Sequence, residues 1–213
     1  MRPLALLLPV ILLASCATAY YAGMEKAGFH KRDILVSRVK KAKNSQVEAK
    51  EQFQSALDEF IAVTGYEGGS LEKKYRRIES AYKRASARAE EVKDRNDDVA
   101  GVGKALFREW DKEIGEYQSA DLRFESKRQR DVSQRRFDEL MTTMRRAEAR
   151  LDPVLAEFRD HVLFLKHNLN ARAVAALEGK AAQVRIDVGR LIREMEASIA
   201  EADAYIRELN AGN

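Results

Sequence analysis

Apolar side chains recur along this chain at alternating steps of four and three. Leu35, Val39, Ala42, Gln46, Ala49, Phe53, Ala56, Phe60 and Val63 form one such row, with Glu and Lys filling much of the remainder. A period of ~3.5 residues marks a helix that buries one stripe against other helices. Gly65-Tyr66-Glu67-Gly68-Gly69-Ser70 interrupts the row; its glycines permit a turn, and Ser70 is placed to cap the next helix. A second row runs through Leu71, Tyr75, Ile78, Tyr82, Ala85, Ala89, Val92, Asn96 and Val99. Its phase continues across Gly101-Val102-Gly103 to Leu106 and Trp110. A loop rarely preserves phase, so the pattern predicts one helix through those glycines rather than a turn. A looser stripe of Tyr117, Phe124 and Val132 leads on to Phe137, Leu140, Met144, Ala147 and Leu151.

Asp152-Pro153 is the clearest punctuation after the N-terminal segment, with Asp as a cap and Pro at the first helical position. The last row then passes through Phe158, Val162, Leu165, Leu169, Val184, Val188, Leu191, Met195, Ile199 and Ile206. The expected fold is all-α: an elongated antiparallel helical bundle or coiled coil of three long helices, about 25–64, 71–151 and 153–211, the middle one longest. At ~1.5 Å per residue the middle helix would reach roughly 120 Å, with the outer two overlapping near its centre.

The first residues follow a different rule. Arg2 gives a positive start, and Leu4 to Leu13 is an apolar run too short for a bilayer span of ~20 residues. It closes on Leu13-Ala14-Ser15-Cys16, which is similar to the lipobox of bacterial lipoproteins. There the cysteine thiol takes a diacylglyceryl group and becomes the new N-terminus. Ala17-Thr18-Ala19 also fits an ordinary secretory cleavage site, which would release a soluble protein instead. The expected organisation is a signal peptide at 1–15, a lipidated tether at 16–24 and a single elongated helical domain over 25–213. Ala17, rather than Asp, after the cysteine favours the outer membrane.

Charge changes this picture little. Arg2 is the one basic residue before Cys16 and all 34 acids follow it, so a chain beginning at Cys16 keeps a net charge of only +3. Residues 121–150 hold nine arginines and lysines, but six acids are interleaved with them, which reads as a solvated helix face rather than a phosphate-binding surface. Gly101-Val102-Gly103-Lys104-Ala105 falls short of a P-loop: Asp98 stands at the first glycine and Ala105 at the hydroxyl position. Among His30, His161 and His167 no metal-binding pair has the right spacing; Glu157 and His161 are four apart and read as a surface ion pair. The sole cysteine is assigned to the lipid, so no thiol is left for catalysis. His167, Asn168, Asn170 and Arg172 form an unusual polar group inside the last helix, read either as a partner-docking patch or as hydrogen bonds that fix the bundle's register.

Gly28-Phe29-His30-Lys31-Arg32-Asp33-Ile34-Leu35-Val36 and Ala49-Lys50-Glu51-Gln52-Phe53 are similar to the start of an uncharacterised family in Gram-negative lipoproteins, known as a domain of unknown function. Met144-Arg145-Arg146-Ala147-Glu148, Asp152-Pro153-Val154-Leu155 and Leu165-Lys166-His167-Asn168-Leu169-Asn170 resemble its second half. The resemblance implies a helical, lipidated envelope protein and no catalytic residues; some relatives carry DNA-repair or ATPase labels. The expectation is a non-enzymatic scaffold or adaptor without cofactor or metal. It would be held at the periplasmic face of the outer membrane by acyl chains on Cys16. An envelope protein is the expected partner, nucleic acid is not, and a homo-oligomer is left open. The alternative is a binding module that holds a lipid or other amphiphile between its helices, against which the small Ala85 and Ala89 argue. A nucleic-acid-associated protein, as the relatives' labels suggest, is a third reading.

Overall fold

The computed structural model describes residues 30–65 and 70–211. Among them are six helices: α1 (Lys31–Thr64), α2 (Leu71–Glu116), α3 (Ala120–Glu148), α4 (Leu151–His167), α5 (Ala171–Glu178) and α6 (Ala181–Ala211). The all-helical class follows the periodicity, and no strand occurs among the described residues. The rows from α1 and the first half of α2 are the core: Leu35, Val39, Ala42, Ala49, Phe53, Ala56 and Phe60 are fully buried, as are Ile78, Ala85, Ala89, Val92 and Val99. Ser70 caps α2 as expected, its hydroxyl accepting from the Lys73 N–H at 3.3 Å.

The three-rod arrangement is corrected in two places. The helix does continue through Gly101-Val102-Gly103, but it ends at Glu116, and Tyr117–Ser119 turns the chain back. Ser119 starts the return by accepting from the Leu122 N–H at 3.3 Å. Asn96 then lies beside Glu148 (2.8 Å) and Trp110 beside Ser126 (2.9 Å), so α2 and α3 are antiparallel neighbours. The expected helix over 153–211 is likewise divided, at Asn168–Asn170. Asn168 Nδ2 donates back to the Phe164 carbonyl, and Asn170 Oδ1 accepts from the Ala173 N–H at 3.0 Å. Side chains that compete for backbone groups favour such a turn over a helix interior.

The result is four antiparallel rods: α1, α2, α3 with α4, and α5 with α6. Arg38–Asp98 (2.9 Å) ties α1 to α2, Lys93–Asp152 (2.7 Å) ties α2 to α4, and Lys43–Asp203 (2.9 Å) ties α6 to α1. Two rods are jointed. The joint between α3 and α4 falls at Ala149–Arg150, slightly before the expected one, because Asp152 and Pro153 sit inside the first turn of α4. Proline is accommodated there, where a helix has no internal acceptor for an N–H.

The core has two apolar sections. One contains Phe53, Phe60, Ile78, Leu151, Phe158 and Leu191; the other contains Leu35, Val39, Val99, Phe137, Leu140 and Tyr205. Between them lies a polar level, in which Gln46, Asn96 and Ser198 are each 0% exposed. Asn96 Nδ2 reaches the Glu148 carboxylate. Both amide atoms of Gln46, Oδ1 of Asn96 and the Ser198 hydroxyl have no hydrogen-bond partner among the described residues.

Candidate functional site

At the end where α1 begins and α6 finishes, α2 and α3 run on as a two-helix hairpin. Lys31, the first residue of α1, already pairs with Glu109 at 2.7 Å, leaving Trp110–Glu116 and the start of α3 beyond it. Trp110 Nε1 donates to Ser126 Oγ and Arg130 pairs with Asp111 at 2.8 Å, which fastens the two arms. Tyr117, Leu122 and Phe124 at the tip are exposed, Phe124 by 72%. The looser stripe in the sequence is therefore an outward-facing one.

Where the hairpin leaves the four-rod section there is a groove of about 790 Å³. Its floor and walls are Leu106, Phe107 and Trp110 from α2, Val132 from α3, and Tyr205 and Leu209 from α6. Its polar lining is mainly arginine: Arg32, Arg128, Arg135 and Arg136, with Glu208 as the carboxylate among the lining residues. Arg136 holds Glu208 through two hydrogen bonds of 2.9 and 2.8 Å, which keeps the Glu208 carboxyl below the usual carboxylate range. Arg128 grips Glu125 in the same two-point manner. Arg32 donates to the Leu209 carbonyl near the end of α6, and among the described residues neither Arg32 nor Arg135 pairs with a carboxylate. Burial pushes the Tyr205 hydroxyl pKa up, so it is a neutral group here.

The residues singled out by the sequence pattern distribute elsewhere. Cys16 lies outside the described residues. His167, Asn168, Asn170 and Arg172 lie at or beside the α4–α5 turn of the opposite end, where the two asparagine side chains bond backbone groups. His161 is not half of a surface ion pair. Its ring is largely buried, stacks on Phe60 with centroids 4.9 Å apart, and leaves Nε2 without a hydrogen bond among the described residues, 3.8 Å from Glu157. Burial holds the His161 pKa below its ordinary value and that of Glu157 above, so a neutral ring faces a reluctant carboxylate. Four of the nine basic residues in the 121–150 tract hold carboxylates: Arg128 on Glu125, Arg130 on Asp111, Arg136 on Glu208, and Arg145 on Asp97 (2.5 Å) and Glu148 (2.7 Å). Gly101 to Lys104 are helical and cradle nothing; a methyl group on Gly103 would overlap the Phe137 ring, so that glycine serves packing between α2 and α3. Among the described residues no cluster of His, Cys, Asp and Glu could hold a metal, and no helix is long and apolar enough to cross a membrane.

A family model described as "Protein of unknown function (DUF2959)" matches residues 20–209. The chain belongs to that family. The DUF2959 match takes in every groove residue from Arg32 to Leu209 and begins after Cys16, so the groove is part of the family's domain and the cysteine precedes it. No curated protein and no solved structure matches the chain significantly. Sequence reasoning misses the groove, because its wall residues fall on rods that the periodicity joins into one continuous helix. The placing of Arg128, Arg135 and Arg136 about one helical turn from Val132 is the available signal, and it points to a groove only once α3 folds back onto α2.

Proposed function

We propose that this protein is an envelope adaptor: a helical rod tethered through a lipidated Cys16 to the periplasmic face of the outer membrane, without catalytic activity of its own. The observation that carries this reading is the polarity of the bundle. α1 enters, α6 ends, and the α2–α3 hairpin presents Tyr117, Leu122 and Phe124 outward, all at one end. Fourteen residues, 17–30, lie between Cys16 and the start of α1. The 46-residue α2 sets the rod's length at about 70 Å at ~1.5 Å per residue. An exposed cluster of large apolar side chains at a protruding tip is the ordinary build of a contact surface, and the partner expected at it is another envelope protein.

Photocrosslinking groups placed at Phe124 and, as a control, at Glu178 near the opposite end test this in intact cells. A discrete crosslinked protein at Phe124 and none at Glu178 is expected, together with an intact mass that corresponds to a triacylated chain starting at Cys16. A chain recovered without lipid from the soluble periplasm, or equal crosslinking at both ends, would overturn the proposal.

A further inference from the structure

We infer that the groove between the hairpin and the ends of α1 and α6 is a binding site for a long-chain carboxylate, a fatty acid. The inference goes beyond the adaptor reading and does not depend on it. Three features of the groove select this chemistry. Its walls are apolar side chains from three rods, Leu106, Trp110, Val132 and Leu209 among them, and they leave space for a flexible hydrocarbon chain. Its volume, about 790 Å³, falls in the ~300–1,000 Å³ range of small-molecule sites. Its charge is one-sided: Glu208 is already held by Arg136, while Arg32 on α1 and Arg135 on α3 have no carboxylate partner among the described residues. A guanidinium at the edge of an apolar slot is matched to a carboxylate head, which it binds with two parallel hydrogen bonds. The same slot opposes a cationic head, because the carboxylate in its lining is already engaged. The neutral Tyr205 hydroxyl adds a polar atom without adding charge.

The protein carries one tryptophan, Trp110, and it lines this groove, so its emission reports occupancy directly. The full chain with Cys16→Ala, which removes the thiol proposed to carry acyl groups, is titrated with dodecanoate below its micelle concentration. Dodecyltrimethylammonium and dodecanol, of the same chain length, serve as comparators. The expected result is a saturable Trp110 blue shift at one dodecanoate per chain. The shift should weaken at least tenfold in Arg135→Gln and in Arg32→Gln, and be lost in Val132→Asp. Val132 is 48% exposed, so its substitution leaves the core untouched, and circular dichroism melts confirm that each variant is folded. An equal response to the cationic comparator would overturn the inference, as mere adsorption to apolar surface. So would saturable binding that leaves Trp110 unchanged, or binding that persists in Val132→Asp.

Discussion

Position 103 has no room for a β-carbon, because the Phe137 ring occupies that space against the α2 backbone. Phe137 in turn stands 5.5 Å from the Phe107 ring and 6.3 Å from Tyr205, so it cannot retreat without disturbing three rods. Gly103→Ala is therefore expected to lower stability by about 1–3 kcal/mol in urea titration, despite alanine's better helix propensity. Gly101→Ala, with nothing near it, should be neutral or slightly stabilising, and the pair makes an internal control. His161 gives a second residue-scale expectation. Folding lowers its pKa by burial, so the unfolded chain takes up a proton first as pH falls through about 6.5, and stability is lost from there downward. Glu157, raised by burial, works in the opposite sense, gaining as pH falls towards its protonation. Melting wild type and His161→Phe together at about pH 7.5 and about pH 5.5 separates the two, since only the histidine contribution differs. The variant should gain on wild type at the lower pH; a constant difference between them would contradict a buried neutral ring.

At the scale of elements, α1 and the first half of α2 are legible in the sequence because every third or fourth position is buried and, Gln46 and Asn96 apart, apolar, from Leu35 to Val63 and from Ile78 to Val99. The turn at Tyr117–Ser119 is not. Tyr117 and Phe124 happen to keep a seven-residue spacing from Trp110, so the pattern mimics one continuing helix although neither side chain is buried. Only Ser119, a capping hydroxyl ahead of Leu122, marks the reversal, and capping serines are too common to outweigh a seam. At the other end the asparagines near 168–170 stand out as a patch within a helix, whereas their backbone hydrogen bonds make them its boundary. Similarly the spacing puts Ile199 in the last row, whereas the structure buries the adjacent Ser198. The reversal has a direct measure. Arg145 contacts Asp97, so spin labels at the exposed Arg76 and Arg146 should lie roughly 30 Å apart, against roughly 105 Å for an unbroken helix at ~1.5 Å per residue.

Across the whole molecule, the polar level at Gln46, Asn96 and Ser198 runs against the rest of the design. A fully buried amide without partners costs about 1–3 kcal/mol. Gln46→Leu is accordingly expected to raise the urea midpoint, and a lowered midpoint would mean that the amide is satisfied by internal water. The level also interrupts the continuity of apolar contact along the rods, from one section around Phe53 and Phe158 to the other around Leu35 and Phe137. Cooperativity travels through such contact, and where it is thinned the two sides can open independently. Native-state hydrogen exchange should therefore resolve two protection classes that meet near residues 46, 96 and 198. The hairpin section, with its groove and exposed tip, should exchange faster. A ligand in the groove would then be read out as slowed exchange that stops at the polar level, so that the far half of the rod never registers that the near half is occupied.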